Sequence, residues 1–202
     1  MTQTEARVTR GTGLLEKFLA VQRGRQADRL IPDNARAGRI LDVGCGSFPL
    51  FLSRTRFAER YGVDRAVSGS LAGSSIHLVD HDVATVRRLP FADDFFSAVT
   101  MLAVFEHLDD SVLLDLVREI KRVLARGGVL VLTTPASWTV GILQTMSRLG
   151  LVSHDEIDEH KRQYSRAGIV DVLTSGGFAK DQIEVGSFEL GMNLWARARS
   201  QG

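Results

Sequence analysis

From residue 39 onward the chain alternates short apolar runs with amphipathic stretches, and the turn residues between them set the boundaries. Arg39-Ile40-Leu41-Asp42-Val43 is followed by Gly44-Cys45-Gly46, and similar β-prone runs predict strands near 39–43, 59–63, 76–80, 97–102, 129–133, 183–188 and 192–198. Between the fourth and fifth of these, Val112, Leu113, Leu116, Ile120, Val123 and Leu124 recur at helical spacing. They predict a helix over about 111–125, with Asp110 as a cap and Gly127-Gly128 as its stop. Strands that alternate with helices imply a mostly parallel sheet covered on both faces. The last two strands are separated by little more than Leu190-Gly191, so they form an antiparallel hairpin. The expected fold is α/β, a Rossmann-like doubly wound seven-stranded sheet, mostly parallel with an antiparallel last strand.

The pattern before residue 39 is different. Leu14, Leu15, Phe18, Leu19 and Gln22 form one stripe of a helix that Pro32 ends, with Glu16, Lys17 and Arg23 off it. Residues 1–39 carry eight basic side chains against four acidic ones, in a chain whose net charge is only +1. The helix is expected to pack over the mouth of the sheet, ahead of a peripheral membrane contact. The small net charge argues against a chain-wide nucleic-acid footprint.

At 202 residues the chain is read as one domain. Its parts are an N-terminal helical lid (1–38), a core (39–135), a substrate-side insertion (136–164), and a C-terminal helix and hairpin (165–202). A mean hydropathy of +0.01 and the absence of a long apolar run point to a soluble protein. No signal-like leader and a single cysteine make the expected compartment the cytoplasm. Cys45 lies inside the glycine turn with no base near it in sequence, so it is read as a packing residue. His154 and His160 are six apart, which does not place two metal ligands on one helix face, so no metal site is expected.

The chemistry is concentrated at Asp42-Val43-Gly44-Cys45-Gly46. An apolar strand that runs into Gly-x-Gly lets the backbone approach a ligand closely. Phe48, Pro49 and Leu50 stand where a third glycine would open a dinucleotide site, and Asp42 would repel a pyrophosphate. A cationic ligand suits the turn better. Asp64, 22 residues after Asp42 at the end of the second strand, is placed to accept hydrogen bonds from ribose hydroxyls. No Gly-Lys-Ser/Thr follows for a phosphate loop, and no Gly-x-Ser-x-Gly for a serine hydrolase.

Asp42-x-Gly44-x-Gly46, Leu89-Pro90-Phe91 with Asp93-Asp94-Phe95-Phe96, and Phe105-Glu106-His107 resemble, in that order, motifs of the class I S-adenosylmethionine-dependent methyltransferases of the type 11 kind. The likeness resumes at His160-Lys161-Arg162-Gln163-Tyr164-Ser165 and Gly176-Gly177-Phe178, where Ser165 would cap the last helix. The resemblance implies S-adenosyl-L-methionine as cofactor. It also implies a cofactor-binding set of Asp42, Val43, Gly44, Cys45, Gly46, Asp64, Arg65, Asp82, Val83 and Ala103, in which Asp82 reads the adenine edge. His107 or His160 is the candidate base, and Tyr164 the residue that orients the acceptor. The acceptor is expected to be a small molecule or a lipid- or sugar-type compound rather than nucleic acid. A non-catalytic module on the same fold and a nicotinamide-dependent oxidoreductase are the alternatives.

Overall fold

The computed structural model describes residues 14–65, 67, 75–85, 88–136 and 164–201, with side chains from residue 18 onward. Seven strands form one sheet: β1 (Arg39–Val43), β2 (Glu59–Asp64), β3 (Ile76–Asp80), β4 (Phe96–Leu102), β5 (Leu124–Pro135), β6 (Ile183–Phe188) and β7 (Asn193–Arg199). Their order is β3-β2-β1-β4-β5-β7-β6. β1 pairs in parallel with both β2 and β4, and β7 lies antiparallel between β5 and β6. All seven expected strands are present, with the predicted hairpin at the end.

Because β1 leads to β2 on one side and has β4 on the other, the strand order reverses beside β1. The crevice at the carboxyl ends of β1 and β4 is therefore the place where an open sheet of this kind receives a ligand.

Alternation along the strands divides the core. Leu41 and Val43 face one side, where α3 (Asp110–Val123) and α4 (Arg166–Ser175) cover them with Leu113, Val117, Ile120, Ile169 and Leu173. Ile40, Ala98, Val129 and Val131 face the other, beneath α1 (Leu14–Leu30) and α2 (Leu50–Arg54). The Ser165 hydroxyl accepts from Gly168 N at 3.1 Å and caps α4, as its sequence position predicts. Pro32 stands two residues past the end of α1, where it was expected to end the helix.

Four local expectations need correction. Helix α3 stops at Val123 rather than at the glycine pair, and Leu124 already has strand dihedrals. Gly127 and Gly128 belong to an irregular stretch of β5, where the pairing with β4 jumps from Leu124 to Val129. Asp109, not Asp110, occupies the α3 N-cap position. In α1 the packed residues are Gly24, Ala27 and Ile31 just beyond its end, whereas Phe18 is 55% exposed. Small residues let the helix axis approach the sheet and α2, and that closeness outweighs the larger apolar stripe.

The crossover from β3 to β4 contains no helix among the described residues. It is held from outside by α3. Arg122 donates to Phe91 O (2.9 Å), Leu89 O (3.1 Å) and Asp93 Oδ1 (2.6 Å), while Glu119 accepts both from Arg122 and from Leu89 N. Asp94 adopts a left-handed turn conformation with φ 55°, in keeping with its reading as a turn former. Below the turn, Phe91, Phe95 and Phe96 pack edge-on against Tyr61.

Arg122→Ala removes the planar donor that three backbone and side-chain acceptors share, and leaves Glu119 partly buried without its cation. The expected loss is about 2 kcal/mol of unfolding free energy in urea titration. Arg122→Lys should recover less than half of it, because an ammonium cannot reach the same set of acceptors.

Candidate functional site

β1 delivers Asp42 to the crevice, and the parallel register sets it opposite Thr100 of β4 and Gly62 of β2. The Asp42 carboxyl is only 4% exposed, and Thr100 Oγ1 donates to its Oδ1 at 2.6 Å. Burial pushes the carboxyl up to about 7; the Thr100 hydrogen bond opposes the shift and the charge of Asp64 adds to it.

The turn that follows is shaped by glycine where glycine is required. Gly44 has φ 74°, and a Cβ there would stand 2.4 Å from Val104 Cγ2, so a side chain would push apart the ends of β1 and β4. Gly44 N donates to Val63 O (2.8 Å), and Gly46 N donates to Asp64 Oδ2 (2.9 Å). Asp64 therefore braces the loop from the neighbouring strand. Gly62 leaves room for Cys45, whose sulfur would be 2.7 Å from any Cβ at that position. Burial, reinforced by Asp42 and Asp64, pushes the Cys45 thiol far up, so it stays protonated and serves as packing.

Around this nucleus the structure gathers most of the residues expected from sequence. Val43 is buried in the core beneath the turn, and Ala103 ends β4 in a left-handed conformation (φ 57°) with its N–H on Thr133 O. Asp82 and Val83 lie one strand outward, past β3, where His81 N donates to Asp64 O (3.2 Å) and ties the two strand ends together. One Asp82 oxygen accepts from Ala84 N, closing a local turn. Arg65 is exposed in the turn after β2.

On the far side of the crevice, Phe105–His107 forms a 3-10 turn in which His107 is half-buried. Phe105 meets the ring of the buried Tyr164 edge-on at 4.5 Å, and Tyr164 pairs with Ala136 just beyond β5. His107 and Tyr164 are thus brought to the same end of the sheet as Asp42. His160 and the body of the insertion lie outside the described residues.

Sequence reasoning missed three contributors. Thr100 carries a signal only in retrospect, as a hydroxyl between the apolar Val99 and Met101 of a buried strand. Val104 enters through its contact with the Gly44 position. Thr134 Oγ1 donates to Glu106 Oε2 at 3.0 Å, joining two buried polar groups, one on β5 and one on the turn after β4.

The residues present fit a nucleoside with a cationic centre. A bare glycine turn admits the ligand backbone-close, and the two carboxyls beside it favour positive charge and hydroxyl donors over a diphosphate. Fold and site together define a class I, Rossmann-like methyltransferase. The chain belongs to the methyltransferase-domain family, whose profile matches residues 16–183. Its cofactor is S-adenosyl-L-methionine.

Solved structures with the same fold include a Thermotoga maritima S-adenosylmethionine-dependent methyltransferase described as a possible histamine N-methyltransferase (TM-score 0.67, 16% identity, covering 93% of this chain and 92% of that one). An S-adenosylmethionine-dependent methyltransferase from Mesorhizobium loti has a TM-score of 0.64 at 20% identity, over 90% of this chain and 99% of the other. A chain from the complex of the Haloferax volcanii Trm112 methyltransferase activator has a TM-score of 0.65 at 15% identity, over 95% and 100%. No curated protein matches the sequence. Among the described residues no helix is long and apolar enough to cross a membrane.

The raised Asp42 pKa has a direct consequence for stability. The native carboxyl holds its proton to about 7, whereas in the unfolded chain it ionises near 4, so the native state binds more protons in that window. Stability contributed by this group therefore falls as pH rises from about 4 to 7 and stays low above it. Asp42→Asn keeps an acceptor for Thr100 and removes the titration. Relative to the parent, the variant should gain on the order of 2–4 kcal/mol between pH 4 and pH 8 in denaturant titrations. A difference that stays constant across that range would show that Asp42 ionises normally.

Proposed function

We propose that the protein transfers the methyl group of S-adenosylmethionine to a small-molecule or lipid- or sugar-type acceptor that approaches from the side of His107 and Tyr164. The observation that carries the reading is the pair of carboxyls, Asp42 and Asp64, set on adjacent strand ends around a glycine turn that has no room for a side chain at Gly44. The small-molecule character of the acceptor draws support from the fold neighbour described as a possible histamine N-methyltransferase.

In this reading Val43, Gly44, Cys45 and Gly46 hold the amino-acid end of the cofactor by backbone contact. Asp64 accepts from the ribose hydroxyls, and Arg65 borders the same turn. Asp82 and the N–H of Val83 read the adenine edge, and Ala103 forms the wall at the end of β4. Asp42 lies close to the cationic centre, where positive charge favours its ionised form.

When bound, the cofactor supplies a sulfonium methyl that is already electrophilic, so the protein chiefly has to align the acceptor and exclude water. An imidazole nitrogen of His107 takes the proton that a hydroxyl acceptor loses as it is methylated. Tyr164, held edge-on by Phe105, orients the acceptor. His160 is the other candidate base.

Two measurements test the assignment. Calorimetry should show that Asp64→Ala weakens S-adenosylmethionine binding by about 1.5–3 kcal/mol, the usual worth of a hydrogen bond to a charged acceptor. NAD should bind neither protein. Unchanged cofactor affinity in a folded Asp64→Ala variant would remove Asp64 from the ribose site. With a hydroxyl acceptor, His107→Gln should leave cofactor affinity intact and lower kcat by about 10²- to 10⁴-fold. Retention of full kcat would shift the role of base away from His107.

A further inference from the structure

Two of the basic residues of the N-terminal segment, Arg25 and Arg29, lie along one groove of the fold. A groove of about 460 Å³ runs between α1 and α2, with Ala20, Val21, Leu50 and Phe51 among its apolar lining and Arg25, Arg29 and Arg54 along it. The one carboxylate in its wall, Asp28, is already engaged: its Oδ1 accepts from Arg36 (3.0 Å) and from Thr55 Oγ1 (2.7 Å). Arg25, Arg29, Arg54 and the neighbouring Arg56 are all exposed, and none forms an ion pair among the described residues.

Phe18 lies seven and eleven residues before Arg25 and Arg29, so all three occupy one stripe of α1. It is 55% exposed, and Phe48, two residues before α2, is 42% exposed. Exposed guanidiniums that form no ion pair among the described residues, of which Arg25 bonds only the neutral Gln22, stand along an apolar groove and share a stripe with the Phe18 ring, and this combination suits two chemistries at once. Guanidiniums match phosphodiester oxygens in a fork geometry, and exposed rings gain free energy only where water gives way to hydrocarbon. A free phosphate or a nucleic-acid backbone would use the arginines and leave the rings in water.

We infer that this α1/α2 face is a peripheral docking surface for an anionic lipid bilayer, with Arg25, Arg29 and Arg54 on lipid phosphates and Phe18 entering the interface. The fit is one of charge complementarity between the arginines and the lipid phosphates, with Phe18 beside them on the same stripe. It does not depend on the methyl-transfer reading, since attachment is measured without cofactor or acceptor.

The test is co-sedimentation of the full chain with phosphatidylcholine vesicles, with and without phosphatidylglycerol. Binding is expected only to the anionic vesicles, and it should weaken as salt is raised. Each arginine near such a surface contributes about five-fold in partitioning, so Arg25→Gln with Arg29→Gln should bind about 25-fold more weakly. Phe18→Ser should reduce binding while leaving the salt dependence unchanged, which a purely ionic contact would not do. Circular dichroism confirms the fold of each variant; should the double variant fail to fold, Arg54→Gln on the opposite wall should bind about five-fold more weakly. Equal binding to neutral vesicles, or undiminished binding by the folded arginine variants, overturns the inference. So does binding of inorganic phosphate or a single-stranded oligonucleotide by the same arginines without any attachment to vesicles.

Discussion

A carboxyl group enclosed at the end of the central strand sets the terms for everything around it. Asp42 has almost no contact with water, and Thr100 gives it a single short hydrogen bond. That is enough to orient the group but not to replace its hydration. Near neutral pH the free protein therefore holds a carboxyl balanced between its two protonation states. A cation brought to the crevice tips this balance toward the ionised form, so the cost of burial is recovered when the ligand arrives. The glycine turn, the brace from Asp64 and the closeness of Val104 to Gly44 all hold that carboxyl at the crevice edge rather than in solvent.

Rigidity on the two sides of the crevice has different sources. On the cofactor side it comes from backbone hydrogen bonds between the turn and β2. On the side of His107 and Tyr164 it comes from side chains: Phe105 on Tyr164, and Thr134 on Glu106. The turn after β4 belongs to both. Its first residues approach Gly44, and its last present His107. Displacement of either wall would be felt at the other through only four residues of chain.

The central strands β1, β4 and the second half of β5 were legible in the sequence because both of their faces are buried, so most of their residues had to be apolar and the runs stood out. Helix α3 was legible because one stripe of it faces the core. The end of α3 was not, because a strand follows without an intervening loop and the glycines expected to stop the helix serve an irregularity in β5 instead. Helix α2 is five residues long, too short for a periodic signal. In the site, Asp42, Asp64 and the glycines announced themselves by spacing within one supersecondary unit. Thr100, Val104, Thr134 and Arg122 act across 28 to 60 residues of sequence, where no local pattern can join them. The groove between α1 and α2 was hidden for the same reason, since its walls come from two separate segments, residues 20–29 and 50–55.

The position of β7 bears on how such a chain is made. It pairs with β5 on one side and β6 on the other, so β6 has no place in the sheet until β7, which follows it in sequence, has been synthesised. While the chain is emerging from the ribosome, β5 presents an unpaired edge next to the nascent core, and such edges recruit strands from other chains. Completion of the fold must wait for Asn193–Arg199 to clear the exit tunnel, and a chain stalled before that point would leave the ribosome with its sheet open on that side.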